Sequence, residues 1–421
     1  MKSRNLFICS PNLGILDIAL PLINYQRKKS GKNFVILFTK PAVSRSFKDD
    51  IFLVNHGKNF FDEFIFISES GTWFKSSSFT EFQEINQFLK KYKTLISRLD
   101  NLSQKNTFLR IVSKTLKKIL YFFEKFFYLK NIILINEIFM NIDLVIYDIL
   151  EIKKKYFQIL RTLFKDLNKL SVMHGISVLQ SKKTNKFIDH NYEKSLKILS
   201  FSQSEKDFFV DFGVEENDII VSGILKHDEE WLEFINSKRK PLIFREPVVL
   251  FSRSESEYFN FDRKRLALEN IKKIILDENK YKLVIKTHFK SRDNQIYYEI
   301  FGKENYEIDW TFSDDHQFNL ASNAKFTITF YSSICIDMLR LGIANIEYLD
   351  LRGLESFDND HALRDDNGHP VFDYGFNDLV IPAQDIISLK SAVKIADNSS
   401  FEELRKKYFA LFPAKSNLSY Q

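Results

Sequence analysis

Residues 326–350 read FTITFYSSICIDMLRLGIANIEYLD, and the order of residue types in this stretch decides the fold class. The apolar, β-branched run Phe326–Thr329 is a short buried strand that ends in the polar turn Tyr331-Ser332-Ser333. From Ser333 to Leu341 apolar residues recur at helical spacing, Gly342 closes the helix, and Asn345–Leu349 forms the next strand. Strand, polar turn, helix and strand make up the unit of a parallel sheet with crossover helices. In open sheets of this kind ligands bind at the carboxyl ends of the strands, which is where the turn lies. A helix N-terminus with two hydroxyls, Ser332 and Ser333, is a ready anion site, and simple N-capping would use the same groups. Asp337, four residues beyond Ser333, is expected to reach a ribose or sugar hydroxyl.

The unit recurs outward in both directions. Val248–Ser252 and Lys282–Lys286 read as strands flanking a helix over Arg263–Leu276, and a last helix over Phe401–Leu411 is expected to pack back across both halves. Toward the N-terminus, strands are predicted at Asn5–Ser10, Asn33–Thr39, Glu63–Ser68, 143–148, Lys169–Met173, Leu196–Ser202 and Asp218–Ser222. Helices are predicted at Gly14–Arg27, Thr80–Leu99, Glu151–Leu167 and Glu205–Phe212. A chain of 421 residues exceeds one ordinary core, since cores stop growing at about 250–300 residues. The charged, proline-containing stretch INSKRKPLIFREP at 235–247 is the best domain boundary. The expectation is therefore an α/β protein with two Rossmann-like domains, 1–238 and 239–421, the first with a helical segment near 100–140.

Composition limits the function classes. Hydrophobic residues make up 44% and charged residues 28%, a globular balance rather than a disordered one. The formal charge of +6 suits an anionic substrate or an anionic membrane surface, without the concentrated basic patch of a nucleic-acid binder. Cys9 and Cys335 are far apart in apolar patterns, so they read as buried free thiols in a reducing compartment. Pro11, Asn12, Gly14 and Asp17 interrupt the first apolar run, and Asn136, Glu137, Asn141, Asp143 and Asp148 interrupt the one at 132–150, so neither is a spanning helix. The stretch RIVSKTLKKILYFFEKFFYLKN at 110–131 is a basic amphipathic helix that could lie on a membrane, with an ordinary core-facing helix and a solvated Lys face as the favoured reading.

Two further strand ends carry chemistry-bearing residues. In SVMHGIS at 171–177, His174 leaves a strand and Gly175 permits a tight turn, a placement suited to a general base or a phosphate contact. In KLVIKTHFKSRD at 282–293, Lys286, His288, Lys290 and Arg292 crowd a strand end, where they could neutralise a diphosphate leaving group without a metal. A strand-end histidine and a solvated basic loop are the plain alternatives. Lesser candidates are Ser252-Arg253-Ser254, the turn at Gly223, Ser10 with Asn12 and Gly14, and the carboxylates Asp148 and Glu151. The run at 358–370, with His361 and His369, has no diagnostic metal spacing and reads as a polar loop. Neither GxGxxG nor a Walker loop is present.

In order, His174-Gly175, Ser202 with Glu205, Gly223, Lys286-Thr287-His288, and Tyr331-Ser332-Ser333 with Asp337 and Gly342 form a set. Over roughly residues 170–350 this set resembles the CDP-glycerol glycerophosphotransferases and the related bacterial capsule and lipopolysaccharide glycosyltransferases of GT-B fold. The resemblance implies two domains facing across a cleft, a metal-independent reaction and no cofactor. It further implies a CMP-, CDP- or UDP-activated donor and a glycan or glycolipid acceptor at the cytoplasmic face of the membrane. It gives His174 a catalytic role and assigns Lys286, His288, Ser332 and Ser333 to the donor phosphates. The chain departs from the family pattern at Phe289, Phe330 and Ile176-Ser177. A transferred sugar or nonulosonic acid therefore stays as open as glycerol phosphate, and for Kdo-like sugars a cleft carboxylate such as Asp148 would matter more. A non-hydrolysing UDP-sugar 2-epimerase and a non-catalytic subunit of polysaccharide assembly are the alternatives.

Overall fold

The structure, a computed structural model, describes residues 4–9, 14–41, 43–44, 47, 55–67, 73–104, 107–148, 166–173, 196–211, 213–288, 294–354, 362–364, 368 and 370–412. Its described residues fall into two compact units, one from residues before 174 with 196–199, the other from residue 200 onward.

The first half contains β1 (Arg4–Cys9), α1 (Gly14–Ser30), β2 (Asn33–Phe38), β3 (Glu63–Ile67), β4 (Trp73–Ser76), α2 (Phe79–Ser103) and α3 (Thr107–Phe139). It continues with β5 (Ile142–Tyr147), β6 (Asn168–Ser171), β7 (Leu196–Ser200), α4 (Gln203–Asp211) and β8 (Ile219–Val221). The strands form one sheet in the order β4-β3-β2-β1-β5-β6-β7-β8. Pairing is parallel from β3 through β7, and the edge strand β4 runs antiparallel to β3. The strand cores are near-continuous apolar runs, such as LFIC and FVILF, because both faces of a parallel sheet are covered. The helix expected over 151–167 lies outside the described residues. On α3, Phe108, Ile111, Ile119 and Phe122 stay exposed rather than facing a core, while buried Ser113 donates to Leu99 O of α2 at 2.8 Å. Among the described residues, no helix is long and apolar enough to cross a membrane.

After α5 (Glu229–Asn236), residues 237–247 form turns without regular structure. There follow β9 (Val248–Phe251), α6 (Phe261–Ile271), β10 (Leu283–Lys286), α7 (Gln295–Phe301), β11 (Trp310–Phe312), α8 (Gln317–Ala321) and β12 (Thr327–Thr329). The chain then runs through α9 (Ile334–Leu341), β13 (Asn345–Tyr348), β14 (Ala362–Arg364), β15 (Pro370–Phe372), α10 (Asp373–Phe376), β16 (Ile381–Ala383), α11 (Ile386–Asp397) and α12 (Phe401–Leu411). The second sheet has the order β11-β10-β9-β12-β13-β16, with every pair parallel. One side is packed by Leu250, Ile285, Ile328 and Ile346, the other by Val249, Phe251, Val284 and Met338. The helix predicted over Arg263–Leu276 is α-helical to Ile271 and continues as a π-helix to Glu278. Cys9 and Cys335 are buried and unbridged.

The last helix packs on α9, and two features hold it there. Gly342 ends α9 in the left-handed conformation (φ +71°), and a Cβ on it would clash with the Phe401 ring. Deeper in, Asp337 is fully buried: its Oδ2 accepts from Lys226 Nζ at 2.8 Å and its Oδ1 lies 2.7 Å from His227 Nε2. His227 Nδ1 is 2.7 Å from the Tyr408 hydroxyl of α12. Burial lowers the His227 pKa, with the Asp337 hydrogen bond opposing. A neutral ring then satisfies both partners, Nε2–H donating to Asp337 and Nδ1 accepting from Tyr408.

Two stability outcomes follow. Gly342→Ala is expected to lose at least about 1–2 kcal/mol in urea unfolding, from the left-handed backbone alone, and an unchanged midpoint would show that the C-terminal turn of α9 gives up that conformation at no cost. Asp337→Ala leaves the Lys226 charge buried without its partner and is expected to lose about 3–5 kcal/mol. A midpoint within 0.5 kcal/mol, roughly the range of surface substitutions, would mean that the carboxylate is not a structural element.

Candidate functional site

In the second sheet the chain steps from β9 to β10 and β11 on one side, then returns to the other side of β9 as β12, β13 and β16. The direction reverses between β9 and β12, so a crevice opens at their carboxyl ends. Phe251, Thr329 and Glu347 lie in one row at this level of the sheet.

Residues leaving these strands build the site. Ser252 is buried, with Oγ 2.5 Å from the Tyr297 hydroxyl. Arg253 reaches across the reversal, where Nη1 donates to Phe330 O at 3.2 Å and to Tyr331 O at 2.7 Å. Its guanidinium lies 5.2 Å from the Tyr258 ring centroid. Tyr331 adopts φ +56°, a left-handed conformation that costs a non-glycine residue about 1–2 kcal/mol. Its hydroxyl donates to Asp373 Oδ1 at 3.1 Å. Burial, followed by the Asp373 charge, raises the Tyr331 pKa far above the ordinary tyrosine range, so the hydroxyl stays a donor. The turn is thus tied down by Arg253 on its carbonyls and by Asp373 on its ring.

The turn delivers Ser332 and Ser333, both half-buried, to the start of α9. Ser332 Oγ accepts from Ile334 N at a long 3.4 Å, and Ser333, the residue at the N-cap, makes no side-chain cap bond. Plain capping therefore accounts for Ser332 only weakly and for the Ser333 hydroxyl not at all. At the end of neighbouring β10, Lys286 Nζ donates to Asp315 O at 2.6 Å, and His288 is half-buried two residues on. Lys290 and Arg292 lie outside the described residues.

Asp337 corrects the reading of the sequence. It is entirely without exposure and both its oxygens are taken by Lys226 and His227, so it is a structural anion rather than a contact for ribose. The pair Ser202 and Glu205 also has a local role. Ser202 Oγ accepts from Glu205 N at 3.2 Å, while Glu205 Oε2 accepts from Phe201 N at 2.5 Å and Ser200 Oγ at 3.0 Å, capping α4. Burial pushes the Glu205 carboxyl up to about 7 against those two donors. Gly223 turns the chain after β8 at φ +72°, and Gly14 opens α1.

In the first sheet the same reversal falls between β1 and β5. Asp148, buried, stands directly after β5 at that point. His174, Gly175, Ser10, Asn12, Glu151, His361 and His369 lie outside the described residues.

Several polar groups near the second crevice were not singled out in the sequence. Glu347 is 6% exposed and burial pushes it up to about 8, with Asp373 adding to the rise and Arg253 opposing it. Asp373 follows a three-residue strand too short to read. Asp315, after β11, accepts from His316 N at 2.7 Å and Asn319 Nδ2 at 3.1 Å. The run Ser313-Asp314-Asp315-His316 directly after an aromatic strand was the available signal.

No protein-family model matches the sequence, and no curated protein matches it. Solved structures do match along its whole length. A putative UDP-N-acetylglucosamine 2-epimerase from Listeria monocytogenes superposes with a TM-score of 0.55 at 12% identity, over 100% of this chain and 94% of that one. S. aureus MnaA, in a structure with UDP, gives 0.54 at 11% identity over 99% and 93%. The wall teichoic acid polymerase TagF gives 0.51 at 12% identity over 99% and 86%. At such identities the likeness is one of architecture: two parallel-sheet α/β domains, eight and six strands wide, give the chain a GT-B-like fold.

Proposed function

We propose that the chain is a metal-independent GT-B transferase that moves a group from a CMP-, CDP- or UDP-activated donor to a glycan or glycolipid of a bacterial surface polysaccharide. One observation carries this reading: the strand reversal of the second sheet gathers Arg253, Tyr331, Ser332 and Ser333 around a helix start with an uncommitted hydroxyl. Such a site suits the phosphates of a nucleotide. The structures of S. aureus MnaA with UDP and of TagF, a polymerase of wall teichoic acid, share the fold and support a nucleotide-activated substrate.

In this proposal 239–421 is the donor half and 1–238 the acceptor half. Ser332 and Ser333 hold the diphosphate, Arg253 fixes their turn, and Lys286 with His288 neutralises the charge that develops on the leaving phosphate. His174 deprotonates or orients the acceptor hydroxyl, and Asp148 supplies a carboxylate at the reversal of the first sheet. The exposed apolar residues of α3, interspersed with Arg110, Lys114 and Lys118, would rest on the anionic inner face of the cytoplasmic membrane.

A second reading, a UDP-sugar 2-epimerase, is favoured by the epimerase folds among the structural matches. It separates cleanly from the first, because an epimerase converts UDP-N-acetylglucosamine with no acceptor present.

The test is a thermal-shift panel of CMP, CDP, UDP, GDP and ADP, followed by turnover with the sugar conjugate of the nucleotide that binds. A ligand at one hundred times its Kd adds about 2.7 kcal/mol of stability. One nucleotide should stand out, and His288→Ala should lose donor turnover by about 100-fold while keeping the wild-type melting temperature. A flat panel on folded protein would sink the transferase reading, and full turnover in His288→Ala would remove that residue from the site.

A further inference from the structure

One strand over from the Tyr331 turn lies a buried carboxylate that the transferase reading does not use. Glu347 sits on β13, level with the last residue of β12, in a strand whose other residues are likewise buried. Its Oε1 is buried and has no hydrogen-bond partner among the described residues, and the same holds for Nε of Arg253. A buried carboxylate left so is costly when charged and tolerable when protonated.

Among the described residues, the groups around it come from several elements. Arg253 approaches from the end of β9 and Asp373 from α10, the two charges that act on Glu347. Tyr258, Tyr331, Tyr374 and Cys335 of α9 all feel the Glu347 charge. Gly375 of α10 lies against the same carboxylate, where a Cβ would come 3.7 Å from Glu347 Oε2. The charge count is simple. Arg253 contributes one positive charge and Asp373, which accepts from Tyr331, one negative. Among these described groups the charges balance with Glu347 neutral and are net negative with it ionised, on the strand that neighbours β12 and its turn.

We infer that Glu347 is a positioning residue for anion binding at the start of α9: held uncharged, it keeps the Arg253 guanidinium from being over-compensated, so that a nucleotide phosphate can settle on the turn. The inference rests on the transferase reading of that site. By linkage it is reciprocal, since a phosphate bound at the turn draws a proton onto Glu347 as surely as the proton favours the phosphate. The sign is fixed by the direction of the shift. Glu347 is protonated below about 8 in the folded protein, so affinity for an anion is full at neutral pH and falls as pH rises through that value.

The experiment is isothermal titration of the full chain with UDP and with CDP between pH 7 and pH 9, a window chosen to bracket the Glu347 value of about 8. Wild-type affinity should fall about five-fold across it, toward the ten-fold limit that one pKa unit of coupling sets. Glu347→Gln, which keeps the shape without the proton, should bind with little dependence on pH. Burial is the main reason Glu347 is raised and the Asp373 charge adds to it, so Asp373→Asn should move the fall in affinity to lower pH, and it decides the matter if Glu347→Gln does not fold. A wild-type affinity that is flat in pH, a Glu347→Gln protein that keeps the wild-type fall, or an Asp373→Asn protein with an unmoved profile overturns the inference and leaves the transferase reading standing. Binding of neither UDP nor CDP at any pH overturns the inference together with the reading beneath it.

Discussion

The arrangement of the second half depends on one buried anion. Asp337 points inward from α9 and has no contact with solvent, so its charge is stable only because Lys226 and His227 come to meet it. His227 in turn takes the hydroxyl of Tyr408, which ties the last helix to the same point. Three segments distant in sequence are thereby locked around the middle of α9. Its C-terminal end is held separately, where Gly342 gives way to Phe401. With its middle and end fixed, the start of α9 has little freedom to shift, and that start is where Ser332 and Ser333 face the strand reversal.

The sheets were legible because parallel strands are short apolar runs, and β1, β9, β10 and β13 fall within a residue or two of where those runs lie. The strands that escaped are of three or four residues. WTF, IPA and the ALR–PVF hairpin are too brief for any periodicity, and β4 is an antiparallel edge without an apolar run. The π-helical continuation of α6 has no sequence marker, because its residues are those of an ordinary amphipathic helix.

The site was legible by position more than by role. The carboxyl ends of β9 and β12 flank the strand reversal, with β10 beside β9, and strand order alone gives that placement. The role of Asp337 was misread because a carboxylate on an apolar helix looks the same whether it meets a ligand or a buried lysine, and the lysine is 111 residues away. Glu347 was passed over for the opposite reason: one acid in the run NIEYL does not disturb the strand pattern, and its neighbours Arg253 and Asp373 come from different elements. Long-range pairing of charges is the information that composition and spacing lack.

The conformation of Tyr331 has a kinetic consequence. Its backbone is held in a region that bulky residues avoid, by Arg253 on its carbonyl and Asp373 on its hydroxyl. A turn restrained this way is shaped before anything arrives, so a ligand need not wait for a loop to order itself. For the proposed transferase, association at this helix start should then be limited by encounter and charge steering, and the lifetime of the complex, more than its rate of formation, would distinguish one phosphate-bearing molecule from another.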